Sequence, residues 1–261
     1  MRQRTLSARH PPISPKETVL KYRSLFIAAA APLAFAAPAL AQDADETPEW
    51  EGEGSLSAGY TTGNTETTDF GAGVKLKHNG ELWTQSGQFS ADYGETDSVE
   101  TKNRLAAAGQ VDRILSERLS AYGRGTWEKD EFSGFENRYF LGGGLAYDII
   151  VGEPTTWTVQ GGPGYRVDEI RTTGEQEESL GFAAGSRLEH QFNDNVALSN
   201  DTDVIYSSTS TQIINSLAFT FDLTGNLSAR ISYDVRHDTD PPAGFEETDT
   251  ATRFSMVYKV G

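Results

Sequence analysis

Between Trp50 and Val260 the sequence repeats one pattern about twelve times: some ten residues with apolar side chains at every second position, then a turn. Successive side chains of an extended strand point to opposite faces, so this alternation gives each strand one apolar and one polar face. Strands of about 9–11 residues suffice to cross the hydrocarbon core of a bilayer. In lipid they leave backbone groups unpaired unless the sheet closes on itself. The predicted fold is therefore all-β: a transmembrane antiparallel β-barrel of about 12 strands, apolar outside and polar within. No helix is expected after residue 41.

The first 41 residues are read as a cleaved signal peptide. Leu20-Lys21-Tyr22-Arg23 is basic, Ser24 to Leu40 is uncharged and alanine-rich, and Ala39-Leu40-Ala41 is the small-x-small pattern that signal peptidase reads. The apolar stretch is too short to favour spanning as a helix. Residues 1–18, with Pro11, Pro12 and Pro15, fit no part of such a signal. A mis-called start, with Val19 as the true initiator, is the hypothesis for them. Residues 42–49 then form a short periplasmic segment, and 50–261 the barrel.

The alternation assigns faces. Trp50, Leu56, Ala58 and Tyr60 oppose Glu51, Glu53, Ser55 and Ser57; Phe70, Ala72, Val74 and Leu76 oppose Asp69, Lys75 and Lys77. The ninth strand is less regular, because Asn200 and Thr202 share the apolar face of Val196, Leu198, Val204 and Tyr206. Asn79-Gly80 is a strong hairpin signal. Short turns alternate with longer polar stretches near 94–101, 128–136, 167–178 and 237–249, as expected of periplasmic turns and external loops. Aromatics sort into two girdles, with Trp50, Trp83 and Trp157 at one height and Tyr60, Tyr93 and Tyr206 at the other.

Charge and cysteine content exclude several functions. Six of the 22 Lys and Arg and one of the 38 Asp and Glu fall in residues 1–41, leaving 16 and 37, net −21. Such a polyanion cannot use clustered Lys and Arg to bind nucleic acid. With no cysteine, a disulfide scaffold, a thiol nucleophile, a Cys-based zinc site and a lipid-modified anchor are all excluded.

The inner face is the first candidate for function. It carries a ladder of opposed charges: Lys75, Arg104, Arg124, Arg138, Arg166, Arg187, Arg230 and Arg253 against Asp92, Asp148, Glu189, Asp203, Asp222 and Asp234. The ladder reads either as a narrow hydrated pore that selects solutes or as a lumen closed by its own ion pairs. The acidic rim is the second candidate, with Glu128, Asp130 and Glu131, Asp168 and Glu169, and finally Asp238, Asp240, Glu246, Glu247 and Asp249. Clustered carboxylates can hold divalent cations, although this last group lacks the ordered spacing of a dedicated calcium loop. Catalysis has little support. Only His78, His190 and His237 follow residue 41, none with a ligand partner at i+4, and no Gly-x-Ser-x-Gly elbow occurs. No cofactor is expected.

Trp50-Glu51-Gly52-Glu53-Gly54-Ser55-Leu56-Ser57-Ala58-Gly59-Tyr60, followed by Thr62-Gly63-Asn64-Thr65, resembles the first hairpin of the YdiY-like family of salt-induced outer-membrane proteins, a domain of unknown function. Gly142-Gly143-Gly144-Leu145-Ala146-Tyr147 and Gly161-Gly162-Pro163-Gly164-Tyr165 are similar to its paired glycine-rich strands. The resemblance implies an outer-membrane location in a Gram-negative bacterium and an association with salt or envelope stress. The chain departs from the pattern in ending Tyr258-Lys259-Val260-Gly261, without the terminal aromatic that barrel-assembly machinery reads.

The expectation is a monomeric outer-membrane barrel in contact with lipid and lipopolysaccharide, acting as a narrow channel for ions or small solutes. The alternative is a non-conducting envelope protein whose acidic external loops bind cations or partners.

Overall fold

A computed structural model of the protein describes residues 49–63 and 67–261. The signal-peptide reading, nearly all of the 42–49 segment and Asn64-Thr65 lie outside the described residues.

Among the described residues there are twelve strands and no helix. They are β1 (Trp50–Thr62), β2 (Thr67–Asn79), β3 (Trp83–Thr96), β4 (Val99–Ile114), β5 (Leu119–Asp130) and β6 (Phe135–Ile150). Then follow β7 (Thr155–Ile170), β8 (Gln176–Asn193), β9 (Val196–Ser207), β10 (Thr211–Asp222), β11 (Leu227–Asp238) and β12 (Thr248–Val260). Each strand pairs antiparallel with its chain neighbours, and β1 pairs with β12 from Gly52↔Val260 to Thr62↔Thr250. The barrel is closed, so no strand edge is left unpaired.

Which face is lipid-directed follows from exposure. Leu56, Phe70 and Leu180 are 69%, 67% and 79% exposed, whereas Asp69, Asp92 and Arg166 of the opposite parity are at most 4% exposed. A soluble protein would bury the first set and expose the second. The inversion marks a surface completed by lipid around a polar interior.

Glycines let the β6 and β7 backbones approach closely. A Cβ on Gly144 would strike the Gly161 carbonyl, and one on Gly162 would strike that of Gly143. Backbone approach this close admits no side chain. Gly142 and Gly164 serve a second purpose, because the Phe140 ring lies over both.

The structure corrects the expected loop lengths. β3 and β4 are joined by 97–98 alone, β5 and β6 by 131–134, and β7 and β8 by 171–175. Among the described connections at the rim opposite the termini, only 239–247 is long. Most of the residues read as loops continue the hairpins, because their alternate side chains still find partners on the lumen side. Glu128 and Asp168 are thus strand residues that face inward.

Candidate functional site: a charged septum across the lumen

The site is built where β5, β6 and β7 face β11 and β12, in the half of the lumen remote from the termini. Strand parity directs Glu128, Arg138, Arg166, Asp168, Arg236, Asp238 and Arg253 inward, and the lumen is narrow enough for opposite walls to touch. Arg236 of β11 reaches Glu128 of β5. Glu128 also accepts from Arg104 Nη2 at 3.0 Å. Arg104 lies 3.4 Å from Asp92, which accepts from Arg253 Nη1 at 2.6 Å. Arg253 is also 3.7 Å from Asp69, itself 3.3 Å from Lys102. Three carboxylates therefore link three arginines and a lysine into one chain of pairs.

A second knot lies beside the first. Arg138 is paired with Asp238 of β11 and lies 3.4 Å from Asp168. Arg166 is 2.5 Å from the same Asp168 and 3.8 Å from Asp238. The Arg138 guanidinium also sits 3.7 Å over the Phe135 ring. Buried charges persist in such a place only when paired, since desolvating a lone ion costs several kcal/mol or more.

The mouth remote from the termini is partly covered by the 239–247 loop. A Cβ on Gly134 would lie 2.5 Å from Pro242 Cγ, so this loop spans the opening to touch the β5–β6 turn on the far side. Beneath the septum lies a cavity of about 380 Å³. Its wall toward β1–β4 is small and polar, with Ser55, Gly73, Gln88 and Ser90. Its other side carries Arg124, paired with Asp203 across the lumen from β5 to β9.

The remaining residues of the expected ladder lie nearer the terminal rim or along the wall. Lys75 lines the cavity. Asp148 accepts from Thr158 Oγ1 at 2.6 Å, and Arg187 donates to Asp201 at 2.9 Å. Asp222 accepts from Ser228 at 2.5 Å and from Lys259 at 2.9 Å. Arg230 makes a two-pronged contact with Glu53, 2.7 and 2.8 Å, reaching over β12 to β1. Asp234 accepts from Ser216 at 2.6 Å and lies 3.5 Å from Arg253. Glu189 stands on β8 with an exposed side chain.

The rim carboxylates are not brought together. Asp238 ends β11 and turns into the lumen toward Arg138 and Arg166, while its Oδ1 accepts from the Asp240 backbone N–H at 3.2 Å. Among the described residues no cluster of three or more His, Asp or Glu is placed to hold a metal ion. Of the carboxylates expected to hold a cation at 238–249, Asp238 is engaged by Arg138 and Arg166. His237 meets Thr248 Oγ1 through Nδ1 at 2.8 Å.

Glu128, Asp168 and Asp238 are the septum members that loop assignment concealed. Their signal was present, since each shares parity with an inward arginine of its strand: Arg124, Arg166 and Arg236. Phe140 gave no such signal, because an aromatic on the polar face breaks the alternation.

A family profile described as "Protein of unknown function, DUF481" matches residues 54–260. The uncharacterized protein YdiY of Escherichia coli (strain K12) is 24% identical over 211 residues, which cover 80% of this chain and 83% of that one. Among solved structures, the NanC porin superposes with a TM-score of 0.54 at 12% identity, covering 79% of this chain and all of NanC. The COG4313 outer-membrane channel from Pseudomonas putida F1 gives 0.51 at 12% identity, covering 83% and 99%. At such identities the likeness is one of fold: a closed outer-membrane barrel of the kind seen in channels.

Proposed function

Because the chain belongs to the DUF481 family of proteins of unknown function, its activity has to be read from its own lumen, and we propose that it is a narrow outer-membrane channel. It passes ions or small polar solutes, and a septum of ion pairs sets its aperture. One observation carries the reading: a cavity with charged walls lies inside the closed barrel, bounded by the cross-lumen pairs Arg236–Glu128 and Arg138–Asp238. A barrel that served only as a scaffold could fill its interior with apolar side chains. This one keeps a hollow where seven cations, four carboxylates, Ser55, Gln88 and Ser90 stand beside Ala106, Ala108, Phe140, Ile205 and Ile214. Opposed charges on facing walls are the arrangement by which narrow pores orient polar solutes.

The same reading places the protein in the outer membrane of a Gram-negative bacterium, as a monomer among lipid and lipopolysaccharide, inserted by barrel-assembly machinery. It assigns no catalytic step. A role in salt or envelope stress belongs to it as well, through control of small-ion traffic.

The test is conductance of the detergent-extracted protein in a planar bilayer under a salt gradient. Discrete steps with a defined reversal potential support the channel. A folded but silent barrel overturns it, and favours an envelope protein acting through its external loops.

A further inference from the structure

We propose that the cavity beneath the septum is a binding site for small oxyanions, carrying a phosphate or carboxylate group. The inference deepens the channel reading by naming a solute class, and it rests on the lumen being reachable by solutes.

The argument is one of placement. Seven cations line the cavity, Lys75 and six arginines, against the four carboxylates Glu128, Asp168, Asp203 and Asp234. The carboxylates that balance the excess do not line it. Asp69, Asp92 and Asp238, at 1%, 4% and 7% exposed, sit against the wall behind the guanidinium groups they neutralise. Charge is balanced through the septum as a whole, yet the cavity itself meets more guanidinium than carboxylate.

Unused donors point the same way. Arg166 is 3% exposed, lines the cavity, and its Nη1 has no hydrogen-bond acceptor. Arg104 Nε is likewise buried without an acceptor. A buried donor left unpaired costs free energy that an incoming acceptor recovers. A guanidinium offers planar, paired N–H groups whose geometry matches two oxygens of a phosphate or carboxylate. Arg124 and Lys75, lower on the wall, give the anion a cationic approach from the terminal side, and the serines of β1 and β3 offer hydroxyls.

The experiment is titration of the full-length, detergent-extracted protein with inorganic phosphate, followed by calorimetry. Saturable binding of phosphate is expected. Arg166→Gln should weaken it by about tenfold or more, the loss of one charge-assisted hydrogen bond. Arg166→Lys should retain part of the affinity, as a point charge without the fork. Arg118→Gln, on the terminal rim, should leave affinity unchanged. Should Arg166→Gln fail to fold, Arg104→Gln supplies the same comparison. No saturable binding by the unaltered protein, or an Arg166→Gln affinity equal to that of Arg118→Gln, overturns the site.

The two readings separate cleanly. Phosphate binding by a barrel that is silent in bilayers keeps the site and removes the channel. Conductance without phosphate binding keeps the channel and removes the site.

Discussion

Arg236 and Glu128 stand on β11 and β5, six places apart in the ring of twelve strands, and their side chains meet across the lumen. Strand pairing alone would hold these walls apart. The pair, with Arg104 as a third member, ties them together.

Removing the shared acceptor should therefore be costly. Glu128→Ala leaves Arg104 and Arg236 facing each other with one carboxylate fewer in a half-desolvated space. A loss of about 3–5 kcal/mol is expected, the usual penalty for stranding a buried charge. The urea midpoint of the protein in lipid vesicles measures it. An unshifted midpoint would mean that water already solvates these groups.

The barrel seam makes a second prediction. Arg230 grips Glu53 with two hydrogen bonds that bypass β12 and join β11 to β1. Glu53→Gln keeps the shape but loses the charge assistance, and should cost about 1–2 kcal/mol. The effect should be seen as a lower temperature for loss of the compact band on unheated gels.

Phe140 and Gly164 form a lock of ring on backbone. Gly164→Ala puts a methyl group where the ring lies, and should destabilise by about 1–3 kcal/mol. In Phe140→Ala the space is free, so the second substitution should then cost much less than it does alone. Additive costs would show that the ring does not rest there.

On the lipid side, Asn215 Nδ2 donates to Thr202 Oγ1 at 2.8 Å and lies 3.4 Å from Asn200 Oδ1. Both asparagines stand at mid-strand on the apolar face. Replacing both with Leu exchanges partly paired amides for hydrocarbon, and should stabilise the barrel by about 1 kcal/mol in lipid. A destabilised variant would show that the side chains need that surface to stay polar.

These cases also show what the sequence makes legible. Period-two alternation was enough to identify the twelve strands, the closed barrel and the lipid face of each strand, including the irregular Asn200 and Thr202. It went astray where polarity was taken as a mark of loops. Glu128 and Asp168 look like rim residues because acidic neighbours surround them, yet their parity continues that of Arg124 and Arg166. Which charges meet was not legible at all. Arg236 and Glu128 are 108 positions apart, and only closure of the ring and the approach of facing walls bring them together. The same holds for Asp238, read as a loop carboxylate, which meets Arg138 and Arg166 only once the ring is closed.

The central claim is that cross-lumen ion pairs set the aperture, and the most direct test removes one without leaving a charge behind. Arg138→Gln with Asp238→Asn deletes both partners while Arg166 keeps Asp168. Single-channel conductance of this double variant should rise several-fold over that of the unaltered protein at the same salt. Equal conductance, or silence from both, would contradict the account.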